Sequence, residues 1–257
     1  MKEINKLANL FAEYRIYPRE KYDNHSAISV FQNIYADNYY SEASRFLIDK
    51  QKYNPKQRGA DLPWWGKKYF STKKGYRVMV VSQDSLAEDA GSVVFAGQFL
   101  SEDIGPDRYS DIYKEYTKRM GTKYFSPNKL KKIFEQFKGW NIDSDFLYLT
   151  DASKVYKNNS WKDRDFDKER SKSLLNAEMD LCGPDAIILL GAQPLLLLDK
   201  KINYSSSVEA GKLITIGKNK CIVAPFFIGN GPSGNRWGLG FKKRLEIATK
   251  LIKQCHT

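Results

Sequence analysis

The stretch Arg77-Val-Met-Val-Val-Ser-Gln-Asp-Ser85 joins four consecutive apolar residues, Val78 to Val81, to an abrupt run of small and polar side chains. A continuous apolar segment of this length, ended by a polar loop, predicts a strand buried on both faces of a parallel sheet. Three runs of the same kind follow at Phe146 to Thr150, Ala186 to Leu190 and Cys221 to Pro225. Helical patterns lie between and after them, at Asp107 to Met120, Asn128 to Phe137, Asp165 to Leu181 and Gln193 to Leu198. A final amphipathic pattern covers Lys242 to Lys253, with Leu245, Ile247, Ala248, Leu251 and Ile252 apolar. The alternation predicts an α/β fold: three layers, α/β/α, around a central four-stranded and mainly parallel sheet. Right-handed crossovers place all four C-terminal strand ends on one edge, where open α/β sheets gather ligands.

Before Arg77 the pattern is less clear. Helical stretches are expected around Ile4 to Tyr14 and Ala27 to Ile48, then a polar loop from Lys50 to Asp61 and Leu62-Pro-Trp-Trp65. No internal repeat or linker separates this part, so residues 1–257 are expected to form one domain, with 1–75 as an N-terminal helical part and 76–257 as the α/β core.

The 257 residues are 42% hydrophobic and 28% charged, a balance that argues against disorder as the main state. Forty-two Lys and Arg against 30 Asp and Glu give a net charge of +12, which favours polyanionic partners. Five Trp, 16 Tyr and 14 Phe add aromatic faces that suit stacked bases. The three cysteines, Cys182, Cys221 and Cys255, form no CxxC pair, so zinc and iron–sulfur sites are unsupported and reduced thiols are expected. No stretch approaches the length of a membrane span, and the beginning, Met-Lys-Glu-Ile-Asn-Lys, lacks the apolar core of a signal peptide. A soluble, cytoplasmic monomer without membrane association is the expectation.

Four motifs follow one another along the chain in a telling order. They are Ser82-Gln83-Asp84-Ser85, Gly91-Ser-Val-Val-Phe95-Ala-Gly97, Tyr148-Leu-Thr-Asp151-Ala-Ser-Lys154 and Gly231-Pro-Ser-Gly-Asn-Arg236. Together they resemble the uracil-DNA glycosylase superfamily over about Tyr76 to Lys253. The first is similar to that family's water-activating Gly-Gln-Asp-Pro loop with both flanking residues changed. The second resembles its small-residue stretch with a Phe that stacks on an extruded base. The third resembles a strand end that usually carries Asn for pyrimidine recognition, and the fourth a His-Pro-Ser loop with Gly231 in place of His. The resemblance implies a protein that binds DNA and hydrolyses the N-glycosidic bond of a flipped base, with no metal or organic cofactor.

On this resemblance Asp84 is the catalytic carboxylate. It would stabilise the sugar cation and orient the attacking water. The alternative is structural: Ser85 caps a helix, Glu88 completes a capping box, and Asp84 adds favourable charge there. Gln83, Phe95 and Asp151 are the candidate base-binding residues, with Phe95 equally readable as core beside Val93 and Val94. Asp151 departs from the pattern, because an ionised carboxylate only accepts hydrogen bonds whereas Asn also donates. A guanine-like edge with two adjacent N–H donors suits it better than uracil; the alternative is a solvated strand-end residue. Ser85, Lys154, Gly231, Ser233, Asn235, Arg236 and Trp237 are the candidate DNA contacts. In the Gly-rich loop Arg236 would meet phosphate and Trp237 would fill the gap left by a flipped nucleotide, or the loop is simply a turn anchored by one Trp. Lys67-Lys68 and Lys73-Lys74 extend the basic face or form a solvated charge run.

Gly231 removes the donor that the resemblance would place beside the leaving base. Three functions therefore stand: a base-excising enzyme, a DNA-binding protein of the same fold that does not cut, and a binder of free nucleotides or other small phosphorylated ligands.

Overall fold

A computed structural model describes residues 3, 6, 7, 10, 59–60, 63–66, 68–83, 132, 135–152, 155–156, 168–226 and 240–255. Eight strands are present among them: Gly59–Ala60 (β1), Trp64–Trp65 (β2), Val78–Ser82 (β3), Leu147–Asp151 (β4), Val155–Tyr156 (β5), Ala186–Leu190 (β6), Ile214–Ile216 (β7) and Asn219–Ala224 (β8). Each of the four apolar runs falls on a strand, with Phe146 just before β4 and Pro225 just after β8, and these four strands are adjacent and parallel in the order β4-β3-β6-β8. Burial on both faces explains their composition: every residue of β4 and β6, and Val78 to Val81 of β3, is buried.

The sheet nevertheless has six strands rather than the expected four. β2 pairs antiparallel with β4 at one edge and β7 antiparallel with β8 at the other, so the sheet is mixed. Two or three residues are too few to show a period, and Trp64-Trp65 and Ile214-Thr-Ile216 become strands only through the partner each one finds. β7 reaches β8 through a two-residue turn in which Gly217 has φ 59°, a backbone state that glycine adopts without strain. β1 lies in the stretch expected to be a polar loop and pairs with β5 in a separate two-stranded sheet.

Four helices pack with the sheet: Lys168–Cys182 (α1), Ala192–Leu198 (α2), Tyr204–Ala210 (α3) and Phe241–Cys255 (α4). Three of them correspond to expected helical patterns, and residues 135–139 are helical as well. The helix expected over Asp107 to Met120 lies outside the described residues. α3 has no counterpart among the expectations. Its sequence Tyr-Ser-Ser-Ser is poor in helix formers, because serine side chains compete for backbone hydrogen bonds. Capping compensates: the Asn203 side chain accepts from Ser206 N at 3.0 Å, and Gly211 ends the helix at φ 58°.

Several of the described aromatic residues serve the interior. Trp140 is fully buried, its Nε1 donating to Thr249 Oγ1 on α4 at 2.9 Å, and its ring meets Phe137 edge-on at 5.6 Å. Trp65 stacks on Tyr148 at 6.0 Å, with Tyr69 and Phe70 against the same ring. These rings are committed to packing, not to stacked bases. Arg244 of α4 is buried beside Glu209 of α3 at 3.0 Å, tying the two helices together.

Burial also perturbs titration. It pushes the Cys221 thiol and the Tyr204 hydroxyl each up to about 12, with the nearby Arg244 charge partly opposing the shift at Tyr204, and raises Tyr69 well above the phenol range. In the unfolded chain these groups release protons near 9.0 and 10.0, whereas the folded protein retains them. Between those values and about 12 the unfolded state holds fewer protons, so stability falls as pH rises. Urea denaturation is expected to give constant stability across this contribution up to about pH 9 and a progressive loss above it; a profile still flat at pH 12 contradicts the burial of these groups.

Candidate functional site

β3 and β4 run parallel with Ser82 and Asp151 as Cα partners at their C-terminal ends. Side chains alternate along a strand, so register alone puts Ser82 and Asp151 on one face and Tyr148 and Thr150 on the other. On the first face the Ser82 hydroxyl donates to Asp151 Oδ1. Asp151 is fully buried, Ser82 is half-buried, and the next residue, Gln83, is exposed. On the second face Tyr148 Oη and Thr150 Oγ1 both donate to Glu178 Oε1 of α1, at 2.6 and 3.1 Å.

Backbone bonds hold the same exits in place. Ala152 N donates to Ser82 O at 2.8 Å, and Ser171 Oγ of α1 donates to Ala152 O at 2.6 Å. At the neighbouring exits Gly191 N, after β6, donates to Ala224 O, at the end of β8, at 2.8 Å. Gly191 has φ 83°, a conformation that side chains rarely adopt. The chain goes from β3 outward to β4 and later returns to β6 on the other side of β3. The strand order therefore reverses between β3 and β6, and a crevice at the carboxyl ends of such strands is where doubly wound sheets bind ligands. Ser82 and Gln83 lie at the carboxyl end of β3, one of the two strands at that reversal.

No protein-family model and no curated protein matches this chain.

The edge must then be judged by its own chemistry. Of the anticipated site residues, Gln83 and Asp151 are described. Asp84, Ser85, Phe95, Lys154, Gly231, Ser233, Asn235, Arg236 and Trp237 lie outside the described residues. Asp151 is not the solvated strand-end residue allowed for as an alternative; its carboxyl group is enclosed and hydrogen-bonded. In this conformation Asp151 offers no surface for direct contact with a ligand, whereas Ser82 does.

Among the basic residues, Lys68 pairs with Asp145 and lies 5.9 Å from the Phe146 ring, so its charge is partly neutralised within the protein. Lys73 and Lys74 are exposed. Among the described residues no group of three or more His, Cys, Asp and Glu is arranged to hold a metal ion, and no helix is long and apolar enough to cross a membrane.

Sequence reasoning passed over Ser82 and Glu178. Ser82 belonged to the motif that drew attention to Asp84, but its partner is 69 residues away and only the sheet register joins them. Glu178 carried a weak signal: it falls in the apolar stripe of α1 between Leu174, Leu175 and Met179, where a charged residue needs a buried partner.

Proposed function

We propose that this chain is a divergent DNA glycosylase-type protein that binds DNA and hydrolyses the N-glycosidic bond of a base extruded into the C-terminal edge of its sheet. The observation that carries this reading is the Ser82–Asp151 pair, a buried carboxylate and a half-buried hydroxyl joined at the exits of adjacent parallel strands. Polar groups fixed there suit recognition of a base edge, and Asp84 follows two residues after Ser82. The order of the four loop motifs and the net charge of +12 support the same reading.

In this scheme Asp84 stabilises positive charge on the sugar as the base departs, and guides water to the anomeric carbon. Positive surface charge holds the phosphates, and binding energy offsets the cost of unstacking one base. Gly231 favours a second reading on the same site, a protein that flips a base without cutting. Its loop has no imidazole to donate to the leaving group, and loss of one such donor commonly slows a reaction by about 100- to 1000-fold.

The test is base release from short duplexes carrying single damaged or mismatched bases, measured beside equilibrium binding at several salt concentrations. Excision is expected from at least one duplex, slowed by about 100-fold in Asp84→Asn while salt-dependent binding persists. Binding without release selects the second reading. Absence of both overturns the DNA assignment.

A further inference from the structure

We propose that Ser82 is a specificity-determining residue of this site, a hydrogen-bond acceptor for a ring N–H of the extruded base, with Asp151 as the positioning residue behind it. The inference rests on the DNA reading above. In the Ser82–Asp151 bond the serine hydroxyl is the donor, so the shared proton is the serine's own. With that proton committed, the remaining capacity of Ser82 Oγ is its lone pairs, and the site meets a ligand at this atom as an acceptor. Donating in this bond also increases electron density on the serine oxygen, because linked hydrogen bonds polarise one another.

Burial assigns the two roles. Asp151 is fully enclosed and Ser82 half-buried, so the carboxylate acts through the hydroxyl. Both residues are held by strand register and by the bonds from Ala152 N and Ser171 Oγ, which keep the Ser82 carbonyl and the β4 exit from shifting. A serine with no such partner rotates to donate or accept as the ligand requires. Ser82, tied to Asp151, discriminates between the two.

The chemical consequence is a preference at one ring position. Guanine presents N1–H there, a donor that matches Ser82 Oγ. Adenine presents an unprotonated N1, whose lone pair faces that of the serine. Fluorescence anisotropy on short duplexes with one unpaired guanine or adenine opposite an abasic-site analogue reads the difference directly. The guanine duplex is expected to bind at least about 10-fold more tightly, the effect of one matched against one mismatched polar contact. Ser82→Ala is expected to reduce that ratio below about 3-fold, and Ser82→Thr, which keeps the hydroxyl, to retain it. Thermal melting of both variants separates a change in preference from a change in folding, and a purely structural role for Ser82 leaves the ratio alone.

A wild-type ratio near one overturns the proposal without recourse to any variant, as does a folded Ser82→Ala protein with the ratio intact. Failure to bind either duplex at low salt is a different result. It overturns the DNA reading itself, and this proposal with it.

Discussion

Gly66→Ala is expected to lower the stability of this protein by more than about 3 kcal/mol, measured by urea or guanidinium denaturation. Gly66 is buried immediately after β2, and its N–H donates to Leu147 O at 2.9 Å. A Cβ at this position falls 1.9 Å from the carbonyl oxygen of Ser144 and 2.5 Å from the carbonyl carbon of Asp145. Both are backbone atoms, in the short 3-10 turn Ser144–Phe146 that leads into β4, so no side-chain rotation relieves the clash. Relief requires separating β2 from β4, with loss of the antiparallel edge and the Trp65–Tyr148 stack. Gly139→Ala is the matched control: a Cβ there meets nothing within 4 Å, and the position is helical, so stability is expected to hold or rise slightly. A Gly66→Ala loss no larger than the control's contradicts the close approach of β2 to the turn.

The second large effect is expected at Glu178. Its Oε1 accepts from both Tyr148 and Thr150, and all three residues are buried. Glu178→Ala removes the shared acceptor and opens a cavity between α1 and β4. The two hydroxyls lose their common partner, and Tyr148, held among Trp65, Tyr69 and Phe70, cannot swing out to water. A cost of about 3 to 5 kcal/mol follows from the lost bonds and the cavity together. Glu178→Gln retains an amide oxygen as acceptor and is expected to cost about 1 kcal/mol. Equal losses for the two substitutions contradict the acceptor role. Because Thr150 immediately precedes Asp151, the Ala variant is also expected to weaken any ligand affinity that depends on the Ser82–Asp151 pair.

The central strands were legible because double-sided burial demands unbroken apolar runs, and Val78 to Val81 or Ala186 to Leu190 admit no other economical reading. The helices α1 and α4 were legible for the complementary reason that an apolar stripe at helical spacing marks the buried face, and α2 as the helical segment that follows the third strand. Less could be recognised where stability comes from a partner instead of a pattern. Two-residue β2 shows no period, and α3 is a serine-rich segment whose helix depends on the Asn203 cap and on Tyr204 and Val208 being buried. The site was legible only as a position. The polar residues after β3 and β4 could be named, but nothing in the spacing of Ser82 and Asp151 announced that one donates to the other.

That division returns to the stretch from Arg77 to Ser85. By itself the sequence determined that Val78 to Val81 form a strand with no exposed face, because four consecutive apolar residues cannot be solvated on alternate sides at tolerable cost. Tertiary structure decided what that strand does at its end. Parallel pairing with β4 in one register, out of several that would bury the same apolar residues, sets Ser82 against Asp151 and encloses a carboxyl group expected to meet a base or, in the alternative, solvent. Hydrophobic burial is additive and local enough to be seen in a run of residues. A hydrogen bond across 69 positions depends on distance and angle, and these exist only once the strands are side by side.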